Sequence, residues 1–210
     1  MSGLPDLAGA LPAPARLRQR LRALTVLEAC FQTGWPRYAF GVTGAFDQFT
    51  YENGGGDDYR VFFGDRLTFL RVFDHESPMS PYVNDEVWPG LLDGLPAGLE
   101  PLTRLADDED YPSITLALWH DGEAWRHGDP EPSDGGEADL TDWILAPLLQ
   151  FTPAGVAGHM ADFYSRQVDE DAVAALMRGD AVDRLLVNRL NPEADWDHVT
   201  AIARELDKMA

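Results

Sequence analysis

The chain has 210 residues, 45% apolar and 25% charged, enough to bury a sizeable core, and no apolar run approaches the ~18 residues that span a bilayer. Sixteen basic residues stand against 36 acidic ones, a formal charge of −20. Residues 1–40 hold five Arg against Asp6 and Glu28, a local +3, so the remainder carries −23. Such a field repels nucleic acid and anionic membrane and attracts cations or basic proteins. It also suits a chain kept soluble in a salty cytoplasm.

The N-terminal run MSGLPDLAGALPAPA has no basic start, and prolines interrupt its apolar stretch, so it reads as a loose leader (1–13) rather than a signal peptide. A lone Cys30 forms no internal disulfide, which fits a reducing, cytoplasmic compartment. Residues 14–32 space Leu17, Leu21, Leu24, Leu27 and Phe31 as an amphipathic helix, flanked by Arg16, Arg18, Arg20 and Arg22. Those arginines either face water or form an anion-binding face. Gly34 and Pro36 end the helix.

Phe46–Tyr51, Tyr59–Phe63 and Leu67–Phe73 are short runs of aromatic and β-branched residues. Gly-Asp turns join them, which predicts an antiparallel meander. Residues 85–104 read as turns, and Asp107–Asp110 as an acidic loop. Ile114–Trp119 and Ala124–Arg126 form a hairpin round Asp121-Gly122. Residues 127–138 are an acidic Pro/Gly linker. Beyond it, Trp143–Leu149, Gly155–Arg166, Asp171–Arg178 and Ala181–Leu190 read as helices. Asn191-Pro192 predicts the start of a last helix that buries Trp196, Val199, Ile202, Ala203 and Leu206. The fold class is α+β: one domain with an N-terminal helix, an antiparallel sheet and a helical C-terminal third.

Reactive side chains concentrate in Asp74-His75-Glu76-Ser77, at the end of an apolar strand. Two carboxylates and an imidazole could hold a divalent ion or work as acid and base. In extended backbone Asp74 and Glu76 would converge while His75 points away, so ligands from elsewhere would be needed. Asp57, Asp58, His120 and His127 are the candidates. The same turn could equally be a binding surface, or a loop in which Asp74 caps backbone N–H groups. A Ser–His–Asp reading of this run fails, because adjacent residues cannot wrap round one another, and the sequence has no Gly-x-Ser-x-Gly nucleophile elbow. Gly54-Gly55-Gly56 leads into acids instead of a Lys and a helix, so it reads as a flexible hairpin loop and not a phosphate cradle. Residues 129–140 miss the calcium-loop pattern, and no cysteine pair suits zinc. No cofactor is implied. Trp119, Trp125, Trp35, Tyr38, Trp88 and Tyr82 divide between core and a protein-binding surface.

Three segments resemble a family of uncharacterised bacterial proteins: Asn53–Asp57, Phe73–Tyr82 with Trp88-Pro89-Gly90, and Ile114–Trp119 with Trp125. The C-terminal helices and Asn188–Pro192 are also similar. In size, acidity and α+β character the chain is similar to small acidic immunity proteins of the SUKH type, by analogy alone. That resemblance implies a toxin-neutralising partner and carries over no catalytic residue. The expected function is therefore non-enzymatic binding of a basic protein, through Asp57, Asp58, Asp74, His75, Glu76, Tyr82 and Trp125. The alternative is a metal-dependent hydrolase or small-ligand enzyme centred on Asp74, His75 and Glu76.

Overall fold

The computed structural model describes residues 3–31, 34–104, 112–132 and 142–209. The acidic loop at 107–110 and linker residues 133–138 lie outside them. The fold is α+β, and among the described residues no helix is long and apolar enough to cross a membrane. The chain forms two compact units, Met1–Pro14 with Gly41–Leu145, and Ala15–Phe40 with Ala146–Ala210.

The first unit holds the sheet from Gly41 onward. Strands β1 (Tyr38–Thr43), β2 (Phe46–Glu52), β3 (Asp58–Phe63), β4 (Thr68–Phe73), β5 (Leu116–His120) and β6 (Trp125–His127) lie side by side in chain order, with β2 through β6 antiparallel. Every residue of β4 is buried, Thr68 and Arg71 among them, so the strand carries no polar face toward solvent. On one face Phe62, Phe69, Ala117 and Trp119 pack with Met79, Leu91, Leu99, Leu102 and Ile114. Each large side chain buried this way contributes about 1.5–3 kcal/mol. The 85–104 segment forms the expected turns, with one 3-10 turn at Glu100–Leu102. Its Trp88-Pro89-Gly90 run is pinned to the start of the linker. Trp88 Nε1 donates to the Glu131 carbonyl at 2.8 Å, and a Cβ on Gly90 would lie 2.1 Å from the Asp129 oxygen.

The N-terminus differs from a loose leader. Helix α1 (Leu4–Ala10) buries Leu7 and Ala8, Leu11 is buried just beyond it, and α1 packs on β6. Pro5 sits in its first turn, where a missing N–H costs nothing.

The second unit is helical. Helix α2 (Pro14–Phe31) buries Leu17, Leu21, Leu24, Leu27 and Phe31 as expected. Helix α3 (Pro81–Asn84) lies in the first unit, and α4 (Asp142–Leu149) begins there, up to Leu145; α5 (Pro153–Tyr164), α6 (Glu170–Arg178), α7 (Arg184–Leu190) and α8 (Trp196–Lys208) belong to the second. Asp169, Asp183 and Asp195 accept backbone N–H groups at the N-termini of α6, α7 and α8. Asn191 is thus not an N-cap. It ends α7, and its Nδ2 donates to the Cys30 carbonyl at 2.7 Å. The last helix begins at Trp196, four positions beyond Pro192, because Asp195 supplies the cap.

Candidate functional site

Two loops meet where β3 begins and β4 ends. The β2–β3 loop is tied by Asn53, whose Oδ1 accepts the N–H of Gly55 at 2.6 Å and of Asp57 at 3.1 Å. Its Nδ2 donates to Asp57 Oδ2 at 2.6 Å. The run expected to be flexible is therefore internally hydrogen-bonded. Gly56, at φ +105°, lets the loop pass the His75 ring, which would stand 3.4 Å from a Cβ.

The register ends with Asp58 opposite Phe73, and Asp57 and Asp74 flank that last pair, one on each strand. Asp57 Oδ1 accepts from the His75 backbone N–H at 3.0 Å and pairs with His75 Nδ1 at 2.7 Å. Asp74 donates its N–H to Thr115 Oγ1 at 3.0 Å, and its Oδ1 accepts the Glu76 N–H at 2.9 Å. Trp143 Nε1, from the first turn of α4, donates to Asp74 Oδ2 at 3.4 Å. Ligand atoms of Asp57, Asp74 and His75 lie within 4.8 Å of one another.

Asp74 and Glu76 do not converge as expected for extended backbone. The chain turns at Asp74, with the Ser77 N–H donating to the Asp74 carbonyl, and strand alternation no longer applies. His75 therefore joins Asp74 at Asp57, while Glu76 faces solvent. Ser77 accepts the Met79 N–H, and Ser80 caps α3 through the Tyr82 N–H. Both serines are buried. Burial pushes the Cys30 thiol up to about 12, leaving it inert.

Of the remaining predicted residues, Tyr82 belongs here. Its ring meets Phe73 edge-on at 5.1 Å and is 63% exposed. Asp58 opens β3 opposite Phe73, beside Arg60 at 3.6 Å, and burial pushes its carboxyl up. Trp125 lies at the opposite end of the sheet. It pairs with His120, which pairs with Thr68 at the far end of β4, about 17 Å along the strand from Phe73. Its Nε1 donates to the Pro12 carbonyl at 2.8 Å. His120 lies at that same far end, and His127 Nδ1 meets the Gly128 carbonyl at 2.5 Å, so neither joins Asp57. Sequence reasoning missed Val83, 68% exposed, and Trp143, 53% exposed. Trp143 opens an apolar helix and carries no local mark of exposure.

Burial alone raises the Asp57 carboxyl, but its bonds with His75 and Asn53 outweigh that and hold it below the ordinary range. Hydrogen bonding to Asp57 raises His75 above 6.5. A raised histidine stabilises the fold below its unfolded value and loses that contribution as pH rises through its folded value. A lowered carboxyl stabilises above its unfolded value and loses it on acidification. The pair is thus most stabilising between about pH 4 and 6.5. His75→Asn should cost stability at about pH 5.5 and much less at about pH 9, read from urea midpoints. A pH-independent cost would rule out the charged pair.

Neither protein-family models, nor curated proteins, nor solved structures give a match to this chain.

Proposed function

We propose that the protein is a non-enzymatic binding module that takes a basic protein partner on the surface around His75. The observation that carries this is the exposure of Tyr82, Val83 and Trp143 around an acidic turn. Tyr82 rests on Phe73 and Trp143 on Asp74, so consecutive residues at the end of β4 brace two aromatic anchors. Braced aromatics lose little freedom on docking and supply most affinity at interfaces. Glu76 and the charge of −20 favour a basic partner and accelerate encounter. Neutralisation of a toxin, as the resemblance implies, is one use of such a module.

Immobilised protein, challenged with lysate of its source at low and moderate salt, should retain a basic protein. Tyr82→Ser and Trp143→Ser should each weaken that complex by about 30-fold, or about 2 kcal/mol. Equal retention by the double variant would defeat the proposal. A second reading is a divalent-ion site with hydrolase chemistry, favoured by the 4.8 Å grouping of Asp57, Asp74 and His75. It requires a rise in melting temperature with Mn²⁺, Zn²⁺ or Ca²⁺ that Asp57→Asn with Asp74→Asn removes.

A further inference from the structure

In the helical unit, the first turns of α2, the start of α5 and the end of α6 enclose a cavity of about 410 Å³. Arg16, Arg20, Arg178 and Gln19 line it with Phe151 and Met177, and no carboxylate is among its lining residues. In a chain with 36 acidic residues and 16 basic ones, three guanidiniums around one acid-free cavity stand out.

The four arginines of α2 separate by what holds them. Arg18 donates to the Met209 carbonyl, and Arg22 bonds Asp207 at 2.6 Å. Both brace α2 against the C-terminal end of α8. Arg20 donates to the Leu148 carbonyl, and its guanidinium stands 5.2 Å from the centre of the Phe151 ring. Arg16 has no hydrogen bond or ion pair among the described residues. Among the described residues Arg178 pairs with Asp180 alone, at 2.8 Å, across two largely exposed side chains, a contact worth little in water. Arg16 and Arg20 are one helical turn apart, a like-charge spacing that destabilises a helix unless something compensates. Burial and the neighbouring Arg16 both lower the Arg20 pKa, so the cavity holds its positive charge at a cost that an anion would relieve.

We infer that this cavity binds a small phosphate monoester with a flat apolar body, such as a nucleoside monophosphate. Two negative charges match a cavity lined by three arginines better than a single carboxylate does, and guanidinium forks suit phosphate oxygens. The Phe151 and Met177 wall takes the apolar body. The volume falls within the range of ligand pockets, well beyond what inorganic phosphate needs. The site is independent of the His75 surface, which lies in the other unit.

Titration of the full chain at low salt with adenosine monophosphate, adenosine and inorganic phosphate tests the assignment by thermal shift and calorimetry. The monophosphate should raise the melting temperature, inorganic phosphate should bind more weakly, and adenosine should not bind. Arg16→Gln and Arg178→Gln, both at exposed positions, should each weaken monophosphate binding by about tenfold or more while leaving the melting temperature of the free protein unchanged. No shift with the monophosphate, or equal affinity in both variants, would overturn the inference. Inorganic phosphate binding as tightly as the monophosphate would remove the apolar body from it.

Discussion

Replacing Arg71 with Met is expected to destabilise the sheet unit by about 3–5 kcal/mol, the largest effect of any single substitution here. Arg71 lies in the middle of β4 with 0% exposure. Its guanidinium donates to the Thr103 carbonyl at 2.7 Å and to the Ser113 carbonyl. It also favours the charged form of Asp58, which burial opposes. Removal takes a donor from each of two carbonyls and weakens the compensation of a carboxylate that Arg60 also faces at 3.6 Å. Methionine keeps most of the aliphatic stem, so the loss reports the head group and not a cavity. The melting temperature should fall by roughly 10 °C. Asp58→Asn, added to Arg71→Met, should recover about 1 kcal/mol, because the uncompensated charge is then gone. A single-variant cost under about 1 kcal/mol would show that the buried guanidinium is dispensable.

Glu28→Ala should cost the helical unit about 3 kcal/mol. Glu28 is 1% exposed on α2. Its Oε1 accepts the Arg37 backbone N–H at 2.9 Å, and its Oε2 lies 3.6 Å from the Arg37 guanidinium. That guanidinium stands 3.3 Å from the centre of the Phe163 ring and reaches Met160 Sδ at 3.8 Å. Burial, and then its bond to Glu28, push the Tyr164 hydroxyl well above its ordinary range. Truncation therefore leaves a desolvated cation and an unpaired N–H together. Glu28→Gln keeps an acceptor for that N–H and should cost only about half as much. Equal costs for Ala and Gln, measured by urea unfolding, would contradict the role given to the backbone contact.

The sheet's centre was legible because β2, β3 and β4 are aromatic-rich runs punctuated by Gly and Asp, and their spans differ from the predicted ones by a residue or so. Helix α2 was legible from its leucine spacing. Strand β1 was missed because Gly41 interrupts YAFGVT and its later residues are exposed, which erases the alternation. Helix α1 was missed because Pro5 and Pro12 suggested disorder, although Leu7 and Leu11 are one turn apart and both buried. Asn191-Pro192 misled because Asn followed by Pro also marks the end of a helix.

At the site, the residue types were legible and their partners were not. Asp57 and His75 are 18 positions apart, and only the β3–β4 register brings them together. Sliding the two predicted strands into antiparallel register would have exposed that pairing. No such device finds Trp143, 69 positions from Asp74, or removes Trp125, whose distance from His75 depends on which end of the sheet β6 joins. Asp58 adjoins Asp57 in sequence, yet its carboxylate lies beside Arg60 while that of Asp57 lies beside His75.

The most direct test of the docking surface is the association of the captured basic partner with purified protein, followed in real time across a series of salt concentrations. Wild type should associate more slowly as salt screens the acidic field, and Tyr82→Ser with Trp143→Ser should dissociate faster at every salt. An association rate indifferent to salt, together with unchanged dissociation in the double variant, would place the partner elsewhere on the molecule and refute the surface proposed around His75.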